Sequence, residues 1–186
     1  MSSISADLDT MLGETLRILT QALGNICQRS TLREASDGEI TQNQLSILMM
    51  LRRRDHLTAT ELARILNISN AAITKIIDRL ATLDLVSREP HPSDRRSMSL
   101  VMRPAGHRFL DRYDEITARK LAVILEDFDS AEKEQLLGFI RRIVQSTLAN
   151  EQDVDLICYT CGGRCGDPCV LQHRRGSCSL QPDKGD

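Results

Sequence analysis

Residues 58–106 read TATELARILNISNAAITKIIDRLATLDLVSREPHPSDRRSMSLVMRPAG, and the order of signals in this stretch decides the fold. Thr58 and Glu61 have the spacing of a capping box, in which each side chain satisfies a free amide of the other at a helix start. Leu62, Ile65 and Leu66 give that short helix an apolar face. After a tight connection through Ile68, Ser69 can cap a second helix, in which Ile73, Ile76, Ile77 and Leu80 follow the i, i+3, i+4, i+7 pattern. Its other face shows Ala71, Ala72, Lys75, Asp78 and Arg79. Two short helices joined tightly, the second presenting small, polar and basic groups, predict a helix-turn-helix. The period then changes. LVSRE (residues 85–89) and SMSLV (residues 97–101) read as strands, and Pro90 and Pro92 exclude helix between them. A hairpin with a basic tip directly after such a helix is a wing.

Helices flank this unit on both sides. Upstream, TQNQLSILMMLRRR (residues 41–54) starts with Thr41 as a cap and buries Leu45, Leu48 and Met49. Its final Arg52, Arg53 and Arg54 read as a solvated helix end, with phosphate contact the lesser alternative. Before it, Leu8, Leu12, Leu16, Leu19 and Leu23 form one stripe on a long helix from about Leu8 to Arg29. Downstream, Pro104 suits the first turn of a helix reaching about Val123. Asp129 can cap a last helix that carries Leu136, Leu137, Ile140, Ile143 and Val144. The fold class is therefore mainly α: a winged helix-turn-helix with a small β-hairpin wing between terminal helices.

The 186 residues suffice for one sound core, and 41% hydrophobic with 27% charged residues exclude a disordered or collagen-like chain. No run approaches 18 apolar residues, so no membrane span is expected. MSSISADLDT lacks the basic and apolar regions of a secretory signal, which makes the cytosol the expected compartment. Aromatics are 3%, with no tryptophan, which argues against a stacking-based nucleic-acid or carbohydrate site. The net charge of −2 hides an asymmetry. Between Arg52 and Arg112 there are 12 Lys and Arg against 7 Asp and Glu, leaving the rest of the chain at −7. A basic middle in an acidic chain points to a local polyanion-binding surface.

This order of helices, helix-turn-helix, wing and closing helices resembles the MarR family of bacterial transcription regulators over about Leu8 to Ala149. The most specific part is the stretch quoted above, and the family's Asp-x-Arg wing signature is matched by Asp94 and Arg96. The resemblance implies a homodimer with interlocked first and last helices, two winged domains reading a pseudo-palindromic operator in double-stranded DNA. It divides the chain into a dimerisation helix (1–40), a DNA-binding domain (41–103), closing dimerisation helices (104–150) and a tail (151–186). Two positions depart from the family pattern. Asp84 stands where glycine is frequent, and aspartate tolerates the left-handed turn better than most residues. Arg103 stands where threonine is usual, and losing a capping hydroxyl costs about 1 kcal/mol.

For DNA contact the candidates are Ser69, Asn70, Ala72, Thr74 and Lys75, in the first turns of the recognition helix, where base edges of the major groove are reached. Arg79, one turn on, is assigned to phosphate. Wing-tip Arg95 and Arg96 can enter an adjacent minor groove, where A·T tracts deepen the negative potential. Asp94 is assigned to orienting an arginine. No catalytic residue is expected: the chain has no nucleotide loop, no usefully spaced carboxylate pair and no Cys-His arrangement.

Beyond residue 150 the composition shifts. Five of six cysteines lie in this tail, as Cys158, Cys161, Cys165, Cys169 and Cys178, threaded with Gly162, Gly163, Gly166 and Pro168. A reducing compartment and an odd number disfavour disulfides. Zinc, with His173 as a further ligand, usually takes two ligand pairs separated by a longer loop. An iron–sulfur cluster accepts thiolates from a short glycine-rich wrap, and is the preferred reading, 4Fe-4S ahead of 2Fe-2S. Its ligands are taken as Cys158, Cys161, Cys165 and Cys169, with Cys178 as a substitute. Operator binding would then answer to iron, oxygen or redox state. One alternative is a regulator that responds to a small aromatic ligand, with zinc stapling the tail. Another, of a different class, is a redox enzyme or electron-transfer protein. The resemblance also implies a peroxide-sensing alternative for Cys27, since some members of the family sense peroxide through a cysteine in the first helix. Arg29 is close to it but no tyrosine is near in sequence, so a buried structural cysteine is the preferred reading. His56, His91 and His107 are scattered.

Overall fold

Helix α3 (Gln42–Arg53) lies at the centre, with Leu45, Ile47, Leu48, Met50 and Leu51 all buried. This is the computed structural model of the chain, and it describes residues 2–148 together with 157, 158, 161 and 169. The side chains of residues 2–6, Ile26 and Arg95 lie outside that set. Thr41 opens α3 through a full capping box, its hydroxyl accepting from the Gln44 N–H while the Gln44 side chain accepts from the Thr41 N–H.

The first helix is longer than its leucine stripe predicts. α1 (Ser2–Ala22) runs through a π-helical turn at Leu23–Gln28 directly into α2 (Arg29–Ser36). Gly24 and Asn25, both poor helix formers, sit in that turn, where an added residue re-phases the apolar stripe. Asp37 and Gly38 then take left-handed conformations, at φ 52° and 83°, and end the helix.

α4 (Ala59–Leu66) and α5 (Asn70–Thr82) form the helix-turn-helix. The turn between them closes on Asn67, left-handed at φ 52°, and on the Ile68 N–H donating to Ala63 at 3.0 Å. β2 (Val86–His91) and β3 (Asp94–Met102) are the antiparallel wing strands, with the register shifting at Pro90/His91. A third strand, β1 (Leu57–Thr58), pairs Leu57 with Leu100 and gives the order β1-β3-β2. Two residues are too few for a period to show, which is why β1 is invisible in the sequence.

α6 (Pro104–Ile124) starts with proline in its first turn and no capping side chain. α7 (Ser130–Thr147) starts at a capping box of Asp129 and Glu132. Ile73, Ile77, Leu80, Leu100, Leu110 and Ile116 complete one core with α3. α7, by contrast, buries none of its residues in the single chain. No helix among the described residues is long and apolar enough to cross a membrane.

Candidate nucleic-acid interface

The outer face of α5 follows from its inner one. Ile73, Ile77 and Leu80 are buried, so the helical period turns Asn70, Ala71, Thr74, Lys75, Asp78 and Arg79 outward, and all of these are exposed. Ser69 sits at the N-cap, its Oγ accepting from the Ala72 N–H at 3.2 Å. The Thr74 hydroxyl donates to the Asn70 carbonyl at 2.8 Å, which leaves its oxygen lone pairs outward. Ala72 is half-buried, and Ala71 holds the exposed place beside it.

The wing is tied to this helix. Arg88 of β2 pairs with Asp78 of α5, an exposed ion pair that links the hairpin to the outer face of the helix. At the tip, Asp94 Oδ1 accepts from the Arg96 N–H at 3.0 Å, and Ser97 Oγ donates to the Asp94 carbonyl at 3.0 Å. Asp94 therefore organises the arginine's backbone, rather than its guanidinium. Arg96 is exposed. Arg95 stands beside it at the start of β3, its side chain outside the described set.

The arginine run at the end of α3 is engaged, contrary to the expectation of a solvated end. Arg52 pairs with Asp114 of α6 at 2.7 Å, Arg53 donates to Cys161 Sγ at 3.1 Å, and Arg54 pairs with Glu61 of α4 at 3.4 Å. Burial pushes the Glu61 carboxyl up, but hydrogen bonds from the Thr58 N–H and hydroxyl, with Arg54 and His91 nearby, bring it below its usual range. Asp114 and Cys161 are far away in sequence from the arginines they meet, so no local pattern announces those two contacts.

Of the proposed cluster ligands, Cys158 is buried, Cys161 exposed and Cys169 half-buried, all as free cysteines. Cys165 and Cys178 lie outside the described residues, as does His173. Among the described residues no three His, Cys, Asp or Glu side chains gather into a metal-binding group. Cys27 is half-buried rather than fully buried. It lines a cavity of about 200 Å³ with Tyr113, Lys120, Leu23 and others, between the π-helical turn and α6. Tyr113, remote in sequence, is thus brought to the same cavity. Burial raises the Tyr113 phenol above its usual value. Two of the histidines meet as well: the His56 and His91 rings lie 6.4 Å apart, edge to face.

Comparison with known proteins agrees with this geometry. Residues 40–98 match the model of the MarR family. Over 103 residues the chain is 31% identical to the transcriptional repressor YetL of Bacillus subtilis, covering 54% of this chain and 62% of that one. It is 26% identical over 141 residues to YpoP of the same organism, a helix-turn-helix regulator, covering 69% and 94%. Among solved structures, RV1404 of Mycobacterium tuberculosis superposes with a TM-score of 0.65 at 23% identity, over 76% of this chain and 94% of that one. A mutant of Staphylococcus aureus MepR, bound to an oligodeoxyribonucleotide, gives 0.57 at 17%, over 73% and 97%. The relatives named are transcriptional regulators, and the redox-enzyme alternative finds no support among them. The capped helix and the signature-bearing wing lie within or beside residues 40–98, the part that matches the MarR family model, and over this region the chain is similar to winged helix-turn-helix transcriptional regulators of that family.

Proposed function

We propose that the chain is a homodimeric regulator that binds a pseudo-palindromic operator in double-stranded DNA. The observation that carries this reading is the exposed polar and basic face of α5, fixed to a wing whose tip presents Arg96. Ser69, Asn70, Ala72, Thr74 and Lys75 read base edges in the major groove, and Arg79 meets phosphate. Arg95 and Arg96 enter the neighbouring minor groove, with Asp94 shaping the tip. A second copy is supported by apolar side chains left open on α1, α6 and α7, such as Leu12 at 51% and Phe139 at 57% exposure. Footprinting on the neighbouring promoter tests this. It is expected to show two half-sites about one helical turn, roughly 10 base pairs, apart. Affinity is expected to fall steeply with salt as condensed counterions are released. A single unrepeated half-site overturns the reading.

Control of operator binding is assigned to an iron–sulfur cluster, 4Fe-4S ahead of 2Fe-2S, held by Cys158, Cys161, Cys165 and Cys169, with Cys178 as substitute ligand. In support, thiols suit iron, and the Arg53 guanidinium against Cys161 is the kind of donor that tunes cluster sulfurs; the three described cysteines are not gathered into one group. Such a cluster, when bound, supplies reversible electron uptake and sensitivity to oxygen. The chain's own contribution is to position Cys161 against Arg53 and to keep Cys158 out of solvent. Metal analysis and an absorption spectrum of anaerobically purified protein decide it; iron with sulfide and broad visible absorption are expected. Stoichiometric zinc in colourless protein moves the assignment to the second reading. That reading, a regulator for a small aromatic ligand with zinc stapling the tail, is favoured by the cavity that Leu23, Cys27, Tyr113 and Lys120 line.

A further inference from the structure

We propose that the C-terminal end of α3 is the docking site of the tail, and that Arg53 couples the sulfur of Cys161 to the helix-turn-helix. Three consecutive arginines leave this end toward three different parts of the molecule. Arg52 reaches Asp114 on α6, the helix whose far half carries open apolar side chains. Arg54 reaches Glu61, the residue whose carboxylate also accepts the Thr58 N–H and so starts α4. Between them, Arg53 donates to Cys161, 108 residues further along the chain. Nearby in the tail, Cys158 is 8% exposed in a helical segment with Ile157, whereas Ile157 and Cys161 themselves are exposed.

The physical link is short. Neighbouring Cα atoms are about 3.8 Å apart, so the backbone of Arg53 cannot shift without moving Arg52 and Arg54. The Cys161 sulfur accepts from the Arg53 guanidinium and so helps set the balance of contacts at this helix end. Ligation or modification of Cys161 that withdraws its sulfur from Arg53 alters this balance. The change is passed to the α4 start through Arg54 and Glu61, and to α6 through Arg52 and Asp114. The inference rests on the DNA-binding reading above, but needs no particular metal.

The test uses full-length, metal-free protein with its thiols reduced, and reads operator affinity in a double-mutant cycle. Cys161→Ala and Arg53→Ala are each expected to change affinity by about threefold or more, the scale of coupling between groups in contact. The double variant is expected to go no further than the larger single change, and Arg53→Lys, which keeps a donor, to stay near the parent. Additive effects, or singles that do nothing, overturn the coupling. Hydrogen exchange reads the docking independently of DNA. Arg53→Ala is expected to speed exchange over residues 157–161 several-fold while α5 is unchanged, and an unaltered rate there overturns the docking. Parent protein that fails to bind any operator counts against the DNA reading, and exchange still decides the docking.

Discussion

Gly106 shows how little room the junction between reading unit and closing helices allows. A Cβ added there would lie 2.6 Å from the Leu85 carbonyl oxygen and 2.7 Å from Met102 Cγ. That oxygen already accepts the Arg103 N–H at 2.9 Å, so it cannot retreat without breaking the start of α6. Gly106→Ala is expected to destabilise the fold by about 1–3 kcal/mol, read by chemical denaturation, the usual range for overpacking. At the same junction the two departures from the family pattern turn out to be partners: Asp84, left-handed at φ 58°, pairs with Arg103 at 2.7 Å. Both are substantially exposed, so the pair itself contributes at most about 1 kcal/mol. Glu61 offers a pH test. Its carboxyl is held below the ordinary 4.5, so the folded state gains stability above that value. The gain is lost as pH falls from 4.5 through the lowered value and Glu61 is protonated. Glu61→Gln keeps the capping geometry, as Gln44 does in α3, and is expected to flatten this acid slope in denaturation curves. An unchanged slope would show that Glu61 does not set it.

At the scale of elements, the division of labour on α5 and the wing separates three basic residues. Lys75→Ala is expected to relax base preference at one position in each half-site, by about 1–3 kcal/mol for the matched base. Arg79→Ala is expected to lower affinity evenly across sequences, and Arg96→Ala to act most on sites with A·T-rich flanks. Selectivity profiling of the three variants checks this; three identical profiles would refute it. The helix-turn-helix and wing were legible in the sequence because each carries local signals: caps at Thr58 and Ser69, the isoleucine stripe, and prolines 90 and 92 at the end of β2 and in the hairpin turn. What was not legible comes from elsewhere in the chain or hides the period. The π-helical turn at Leu23–Gln28 shifts the leucine stripe and masks the true helix end. Tyr113 meets the Cys27 cavity, and Arg53 meets Cys161, only once α3 and α6 are packed. Local patterns carry no record of such pairings.

Across the whole molecule, one half is a finished core and the other is not. α3 to β3 bury most of their large apolar side chains within the chain, Met98 being the exposed exception, whereas α7 buries none and leaves Leu137, Phe139, Ile140 and Ile143 between 42% and 57% exposed. α1 adds Leu12, Leu16 and Leu19 at 39–51%. On the homodimer reading, these side chains are the ones a second copy covers, and burying apolar area contributes about 25 cal/mol per Å² toward offsetting the cost of association. A charge set among them has no compensating partner and must be desolvated if the second copy binds. Phe139→Glu combined with Ile140→Glu is therefore expected to give a monomer by analytical ultracentrifugation. Because these side chains are outside the buried core, the secondary structure of the reading unit should persist. The two reading heads would then bind independently, so the gain from occupying both half-sites together is lost. Operator affinity is expected to fall by about a hundredfold or more, while the weak, salt-sensitive binding of a single head to non-specific duplex remains. A variant that stays dimeric, or a monomer that binds the full operator as tightly as the parent, would place the dimer contact elsewhere.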